Sequence, residues 1–179
     1  TLAGPEAVVG PVAKAYSKKG SRKFDYDFFT SIYGRPVEAS ILPYKKMPEF
    51  SEKLRQVKTV ADGNRIGFDL GASDFKISAL KKGKVVFSKE FPWDPRNNAD
   101  PEYHYSKLTA GLKEAAASLP SVDAIGGSTA GVLVGQKMGL ASLFRAVKEK
   151  NPSKFADAQN MFYRIEKDWG VPFAVYNDG

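Results

Sequence analysis

The chain has 179 residues, of which 42% are hydrophobic and 26% are charged, and its formal net charge is +7. This length suits one ordinary domain with an extension, and no apolar stretch approaches the roughly 20 residues that a membrane-spanning helix needs. The positive charge is spread along the chain, which argues against a nucleic-acid-binding arm, and the absence of cysteine excludes disulfides and thiolate metal sites and suits the cytoplasm.

Residues 1–62 form an irregular first segment, which we expect to pack as an extension on the main domain. Its start lacks the basic and apolar regions of a signal peptide. Residues 37–42 are suited to a short strand ending at Pro43, and residues 49–60 place apolar side chains on one face of a short helix. We do not expect the two compact helices and tight turn of a helix-turn-helix in this segment.

Residues 63–179 form the main domain and begin with short apolar runs. Residues 65–70 are one run, and residues 75–80 alternate apolar and polar side chains after a glycine turn. Residues 84–91 form a third run after the turn at Lys82-Gly83. Three strands joined by tight turns predict an antiparallel meander.

Helical and strand patterns then alternate. Asp100 is suited to an N-cap, with Pro101 in the first helical position, and His104 is expected to be a surface residue near this helix start. The predicted order is a helix to residue 119, a strand at 122–125, helices at 140–147 and 152–169, and a strand at 172–176.

The predicted order is therefore β-β-β-α-β-α-α-β, which indicates an α/β fold with a five-stranded mixed sheet covered by helices. This order resembles the ribonuclease H-like unit of actin-like ATPases. Other α/β domains could share it, so the order of elements does not identify the function.

Three segments contain residues suited to chemistry. In the first, Asp69 at a strand end is followed by a turn of small residues, an arrangement that lets a backbone approach phosphate while the carboxylate holds hydrated Mg²⁺. Ser73 could add a hydroxyl and Lys76 an amine to the same phosphate. Taken alone, these residues are explained more simply by a plain β-hairpin with a glycine turn.

The second segment, residues 126–131 (GGSTAG), follows a buried strand and offers the hydroxyls of Ser128 and Thr129 to a sugar or phosphate. Close packing of strand and helix is the alternative explanation. The third segment ends in Asn177 and Asp178, where the carboxylate could accept a proton from a substrate hydroxyl while the amide orients the substrate. Here the alternative is an Asn-Asp-Gly turn.

Together the segments resemble the ROK (repressor, open reading frame, kinase) and hexokinase-like sugar kinases of the actin-like ATPase superfamily. Residues 69–76 (DLGASDFK) resemble the hexokinase phosphate-binding signature DLGGTNFR. Residues 124–131 (AIGGSTAG) are similar to the ROK segment GISTPG, and residues 169–179 (WGVPFAVYNDG) to the ROK run GLPVVVENDA. The resemblance covers about residues 64–179.

The resemblance implies that residues 63–179 are the actin-like N-terminal domain of an ATP-dependent kinase that transfers the γ-phosphoryl group to a hexose-type sugar. ATP and Mg²⁺ would be the cofactors, and a C-terminal domain beyond this chain would complete the cleft, so the chain alone is expected to be inactive. A homodimer and polyphosphate as donor stay open. The implied roles are Asp178 as general base, Asn177, Ser128 and Thr129 as sugar-binding residues, Asp69 as the Mg²⁺ residue through water, and Gly71, Ala72, Ser73 and Lys76 as further cofactor-binding residues.

Several positions depart from the family pattern. Ala72 and Ser73 replace Gly and Thr, and Ala130 replaces the loop proline. Asp74 adds a negative charge near the expected phosphates. Other hypotheses on the same fold stay open: a sugar-sensing regulator like the ROK repressors, a non-catalytic interaction domain, or an activator ATPase of the dehydratase type, which would need cysteines for its iron–sulfur cluster.

Overall fold

The computed structural model describes residues 2–49, 63–140 and 142–178. The chain divides into two compact units, Thr1–Lys58 and Thr59–Gly179. Within the described residues, no helix combines the length and the apolar composition that crossing a membrane requires.

The first unit contains two helices and two very short parallel strands. Among its described residues, Val9 and Ile32 are the buried large hydrophobic side chains, whereas Phe24 and Tyr44 are largely exposed. Its elements are β1 (Leu2–Ala3), α1 (Glu6–Ala15), α2 (Lys23–Tyr33), β2 (Ile41–Leu42) and a 3-10 turn at Tyr44–Lys46.

The structure of this unit differs from the prediction in two respects. The unit contains two helices that the sequence did not predict, although residues 16–22, which join α1 and α2, are a longer connection than the tight turn of a helix-turn-helix. The strand predicted over residues 37–42 is reduced to its last two residues. The helix predicted over residues 49–60 lies almost entirely outside the described residues, and the packing of the extension on the main domain stays a prediction.

The second unit contains the main sheet. Its first three strands follow the predicted meander, and the later elements alternate between helix and strand. The elements are β3 (Asn64–Leu70), β4 (Asp74–Lys81), β5 (Lys84–Pro92), α3 (Pro101–Ala116), β6 (Ala124–Thr129), β7 (Val132–Val134), β8 (Lys137–Leu140), α4 (Arg145–Lys150), α5 (Phe155–Gln159), α6 (Met161–Trp169) and β9 (Phe173–Asn177).

The five-stranded sheet has the order β5-β4-β3-β6-β9. Strands β3, β4 and β5 pair antiparallel, whereas β6 pairs parallel with both β3 and β9. A three-stranded meander followed by two parallel strands reached through helices is the ribonuclease H-like topology. The predicted fold class, an α/β domain with a five-stranded mixed sheet, is therefore confirmed.

One face of the sheet forms the core of this unit. The ring of Phe68 lies 6.2 Å from that of Phe162 on α6 and 5.9 Å from that of Phe173 on β9, measured between centroids. Burial of each such side chain contributes about 1.5–3 kcal/mol to the free energy of unfolding. The same cluster contains Ile66, Leu70, Phe75, Ile77, Ala79, Ile125 and Val175 from the strands, and Leu108, Leu112, Ala115 and Ile165 from the helices.

Helix α3 begins as predicted. Asp100 is its N-cap and accepts a hydrogen bond from the Glu102 backbone N–H at 3.1 Å. The prediction of an exposed His104 is wrong, because this side chain is fully buried. Its Nε2 lies 2.9 Å from the Pro95 carbonyl oxygen and 3.1 Å from that of Leu143, and these contacts satisfy the polar ring inside the core.

The hairpin of β7 and β8 was not predicted from the sequence. Gly135 has a φ of 65°, which favours glycine, and forms the tight turn between the two strands. Leu140, predicted to begin a helix, instead ends β8. The predicted helix over 140–147 is reduced to α4 after a 3-10 turn, and the one over 152–169 is interrupted at Asn160 between α5 and α6.

Candidate functional site

The carboxyl ends of β3, β6 and β9 lie level at one edge of the sheet. Leu70 pairs with Thr129, and Thr129 pairs with Asn177, so the three parallel strands end in register. Ligands of open α/β sheets bind at this kind of edge. The three segments singled out in the sequence therefore meet at one edge of the domain.

Asp69 and Ser128 are joined directly across this edge. They occupy paired positions on β3 and β6, and the Ser128 hydroxyl donates a 2.5 Å hydrogen bond to Oδ1 of Asp69. The carboxylate is exposed and points away from the core, since its neighbours Phe68 and Leu70 are buried. This hydrogen bond restricts the rotamer of an acidic side chain at the strand end.

The turn after β3 is held from the core side by Trp93. The indole N–H of Trp93 donates to the Gly71 carbonyl at 3.0 Å, and its backbone N–H donates to the Ser73 carbonyl at 3.2 Å. A Cβ at Gly71 would lie 2.8 Å from the Asp74 carbonyl oxygen, so the tight turn requires glycine there. Trp93 is buried, and its two hydrogen bonds fix the backbone of this turn.

Asp74 and Lys76 form a charged group on β4 next to this turn. The Ser73 hydroxyl donates to Asp74 at 2.7 Å, and the Lys76 amine lies 3.3 Å from Asp74 and 3.8 Å from Glu90. The hydrogen bonds from Ser73 and Lys76 lower the pKa of Asp74. The hydrogen bond with Asp74, followed by the charges of Asp74 and Glu90, raises the pKa of Lys76. The extra negative charge of Asp74 is therefore partly balanced within the strand pair.

Asn177 and Asp178 lie at the end of β9. The Asn177 side-chain amide donates to the Gly131 carbonyl in the loop after β6, and Asp178 is exposed. Strand β6 lies between β3 and β9, and adjacent strands are about 4.8 Å apart, so the backbones of Asp69 and Tyr176, which are level with each other, are roughly 10 Å apart. Asp178 follows two residues, roughly 7 Å, further along.

Ser128 and Thr129 are separated by the alternation of β6. Ser128 lies on the solvent-facing side with Asp69, whereas the Thr129 side chain is fully buried and its hydroxyl donates to the Ala130 carbonyl at 3.3 Å. A sugar could contact Ser128 from solvent, whereas the buried Thr129 side chain is not accessible to it.

The described residues contain no group of three or more His, Asp or Glu side chains placed to hold a metal ion. Asp69 is a single exposed carboxylate beside a small-residue turn. This donor set fits a hydrated Mg²⁺ held through water and shared with phosphate oxygens, because Mg²⁺ retains most of its waters and needs few protein ligands.

Two features of this edge were not predicted. The first is the hydrogen bond between Ser128 and Asp69, and the second is the contact of the β7–β8 hairpin with β9 through Gln136. The pattern of small residues in 126–131 indicated a ligand edge, but no signal in the sequence pointed to Gln136, because its partners are backbone groups.

No protein-family model and no curated protein matches the sequence. Among solved structures, a glucokinase from Parabacteroides distasonis is similar, with 23% identity, a TM-score of 0.48 and coverage of 68% of this chain and 33% of that chain. A ROK hexokinase from Thermus thermophilus has 15% identity and a TM-score of 0.45 over 64% of this chain and 34% of that chain.

A ROK family transcriptional regulator, a homologue of the E. coli MLC protein, is similar at 20% identity, with a TM-score of 0.47 over 64% of this chain and 28% of that chain. This chain therefore spans about a third of the length of the solved structures described here. They include members of the family that the motifs of residues 64–179 resemble.

Proposed function

We propose that this chain is part of an ATP-dependent sugar kinase. The observation that carries the proposal is the common edge of the sheet, where Asp69 and Asp178 leave strands that flank β6 and end in register with it. Phosphoryl transfer requires a phosphate-binding group and a proton acceptor facing a common space, and it depends mainly on positioning and charge.

In this proposal Asp178 is the general base. Its carboxylate accepts the proton of a sugar hydroxyl while the hydroxyl oxygen forms a bond to the γ-phosphorus of ATP. The bond from that phosphorus to the bridging oxygen breaks, and ADP leaves with the electron pair. Asn177 and Ser128 orient the sugar, and Thr129, which is buried, supports the loop after β6 from below.

The donor phosphates would lie against the turn after β3. The turn of Gly71, Ala72 and Ser73 is held tight by Trp93, so backbone N–H groups could approach the phosphate oxygens closely. Asp69 would hold hydrated Mg²⁺, which supplies compensation for the negative charge of the phosphates. Lys76 could contribute positive charge at longer range from its position between Asp74 and Glu90.

The test is Asp178→Asn in the full-length protein that contains this chain. The amide keeps the shape of the side chain but accepts a proton poorly, so kcat with the accepted sugar should fall by about 10²–10⁴-fold. Sugar affinity, measured by calorimetry, should change little. Asp157→Asn, an equal change at an exposed position of α5, is the control and should leave kcat unchanged. A kcat within twofold of the unmodified protein in the Asp178 variant would refute the proposal.

The pairing of Lys76 with two carboxylates favours a second candidate, a sugar-sensing regulatory protein of the same fold. An amine held between Asp74 and Glu90 contributes less to phosphate binding than one that faces the cleft alone. Sugar binding by the unmodified full-length protein, without transfer of phosphate from ATP or polyphosphate, would support this candidate.

A further inference from the structure

The strand that carries Asn177 and Asp178 is the edge strand of the five-stranded sheet. In the order β5-β4-β3-β6-β9, the strand pairs with β6 on one side only. An edge strand presents backbone N–H and C=O groups at alternate residues on its outer side. A side chain that hydrogen-bonds to these outer backbone groups of β9 would restrain the end of the strand.

Gln136 contacts the outer side of β9 with both ends of its side-chain amide. Its Nε2 donates to the Phe173 carbonyl at 2.9 Å, and its Oε1 accepts from the Val175 backbone N–H at 3.1 Å. A residue of a neighbouring parallel strand makes this same pair of bonds, to the carbonyl before and the N–H after the residue it faces. The amide of Gln136 thus takes the place of the backbone N–H and C=O of one residue of a sixth parallel strand.

The position of Gln136 is itself well fixed. The side chain is 5% exposed, and the residue follows Gly135 in the tight turn between β7 and β8. Its backbone N–H lies 3.4 Å from the hydroxyl of Tyr163 on α6. A second contact from the same segment reaches the end of β9, since the Asn177 amide donates to the Gly131 carbonyl just before β7.

We propose that Gln136 is a positioning residue, which holds β9 from its outer side and thereby fixes the placement of Asn177 and Asp178 at the site. The part that concerns catalysis rests on the proposed kinase function. The part that concerns β9 does not, because it follows from two hydrogen bonds to backbone groups, three and five residues before Asp178.

The experiment is Gln136→Glu in the full-length protein, studied between pH 5 and pH 8. At pH 8 the ionised carboxylate cannot donate to the Phe173 carbonyl, so the pairing should be lost. A protonated carboxylic acid has one donor and one acceptor and reproduces the pattern of the amide. Because burial favours the neutral acid, protonation should restore the pairing at the acidic end of this range.

Two quantities are compared with the unmodified protein at each pH. At pH 8, hydrogen exchange of the β9 amides should accelerate at least tenfold. The kcat should fall about 10- to 100-fold, because a small displacement of a catalytic group has effects of this size, and the sugar KM should stay within threefold. Both differences should shrink toward pH 5. Val134→Glu adds the same charge at an exposed position of the hairpin and should show neither effect.

If the Glu variant does not fold at pH 8, Gln136→Met removes both hydrogen bonds without adding a charge and provides the same comparison at one pH. Unchanged exchange of the β9 amides in either variant would overturn the proposal. Accelerated exchange with unchanged kcat would overturn the positioning role. If the unmodified protein transfers no phosphate, the kinase proposal fails, while exchange still decides whether Gln136 holds β9.

Discussion

The two faces of the five-stranded sheet differ in what their side chains contact. On the core face, the rings of Phe68, Phe162 and Phe173 pack against one another, and helices α3 and α6 complete the packing. On the other face, the paired positions across all five strands carry polar groups near the strand ends. This row consists of Glu90, Lys76, Asp69, Ser128 and Tyr176.

Neighbouring residues of one strand therefore have different roles. Successive side chains of a strand point to opposite faces, so Gly126 and Ser128 lie on the polar face while Gly127 and Thr129 lie on the core face. A substitution on the core face should change the free energy of unfolding, and one on the polar face should change ligand binding. Three pairs of substitutions examine this division.

The largest expected effect is that of Gly127→Ala. A Cβ at Gly127 would lie 2.3 Å from the ring of Phe68, which cannot move aside because other aromatic rings contact it. Overpacking of this kind costs about 1–3 kcal/mol, which urea denaturation of the two variants would measure. Gly126→Ala is the matched control, because its Cβ would meet only the Ala174 carbonyl oxygen at an ordinary 3.7 Å.

The control should leave stability unchanged or raise it by about 0.5 kcal/mol, because alanine restricts the unfolded chain more than glycine does. An equal decrease in the free energy of unfolding in both variants would show that the two faces do not differ in packing.

A smaller effect, on binding, is expected from Ser128→Ala in the full-length protein. The change removes the donor that restricts the Asp69 carboxylate, and because this hydrogen bond is exposed to solvent, its loss should cost little stability. We therefore expect the KM for Mg-ATP to rise about tenfold, with the free energy of unfolding within about 0.5 kcal/mol of the unmodified value.

Ser88→Ala is the control for this prediction, since Ser88 lies on the same face and its hydroxyl contacts that of Ser78, 3.2 Å away. An equal rise of the KM in both variants, or a loss of stability without a change of the KM, would contradict the role given to Ser128.

The sequence predicted the part of the fold that depends on local signals. Element boundaries are placed correctly or within a few residues by the turns around residues 71–73 and 82–83 and by the N-cap at Asp100. The β7–β8 hairpin was missed because apolar residues at 140, 143, 144 and 147 recur at helical spacing. Leu143, Phe144 and Val147 are buried, so the spacing indicates burial and not the type of element.

The candidate site was predictable in its positions but not in its contacts. Small residues and acids after apolar runs indicate strand ends at one edge, which is how Asp69, Ser128 and Asp178 were selected. The side-chain amide of Gln136 contacts backbone groups 37 and 39 residues away, and the ring of His104 contacts the Leu143 carbonyl, 39 residues away. Backbone groups are the same for nearly every residue, so such contacts leave no pattern in the sequence.

The smallest expected effect concerns the helix layer over the core face, where Tyr105 of α3 contacts α6. Its hydroxyl donates to Asp168 at 2.5 Å, and the Arg164 guanidinium lies 3.5 Å from its ring centroid. Tyr105→Phe removes the hydrogen bond and should lower the free energy of unfolding by about 1 kcal/mol at neutral pH. Tyr176→Phe on the polar face is the matched control and should change it by less than about 0.5 kcal/mol.

The stabilisation by the Tyr105 hydroxyl should also depend on pH. The hydrogen bond with Asp168, followed by burial, raises the pKa of Tyr105 above its unfolded value of about 10. The stabilisation is therefore fully present below about pH 10 and is lost as the pH rises through the folded pKa. The difference between the unmodified protein and Tyr105→Phe, measured by urea denaturation, should be constant from pH 6 to 9 and shrink above pH 10. A difference that grows above pH 10 would show that the hydroxyl does not donate to Asp168.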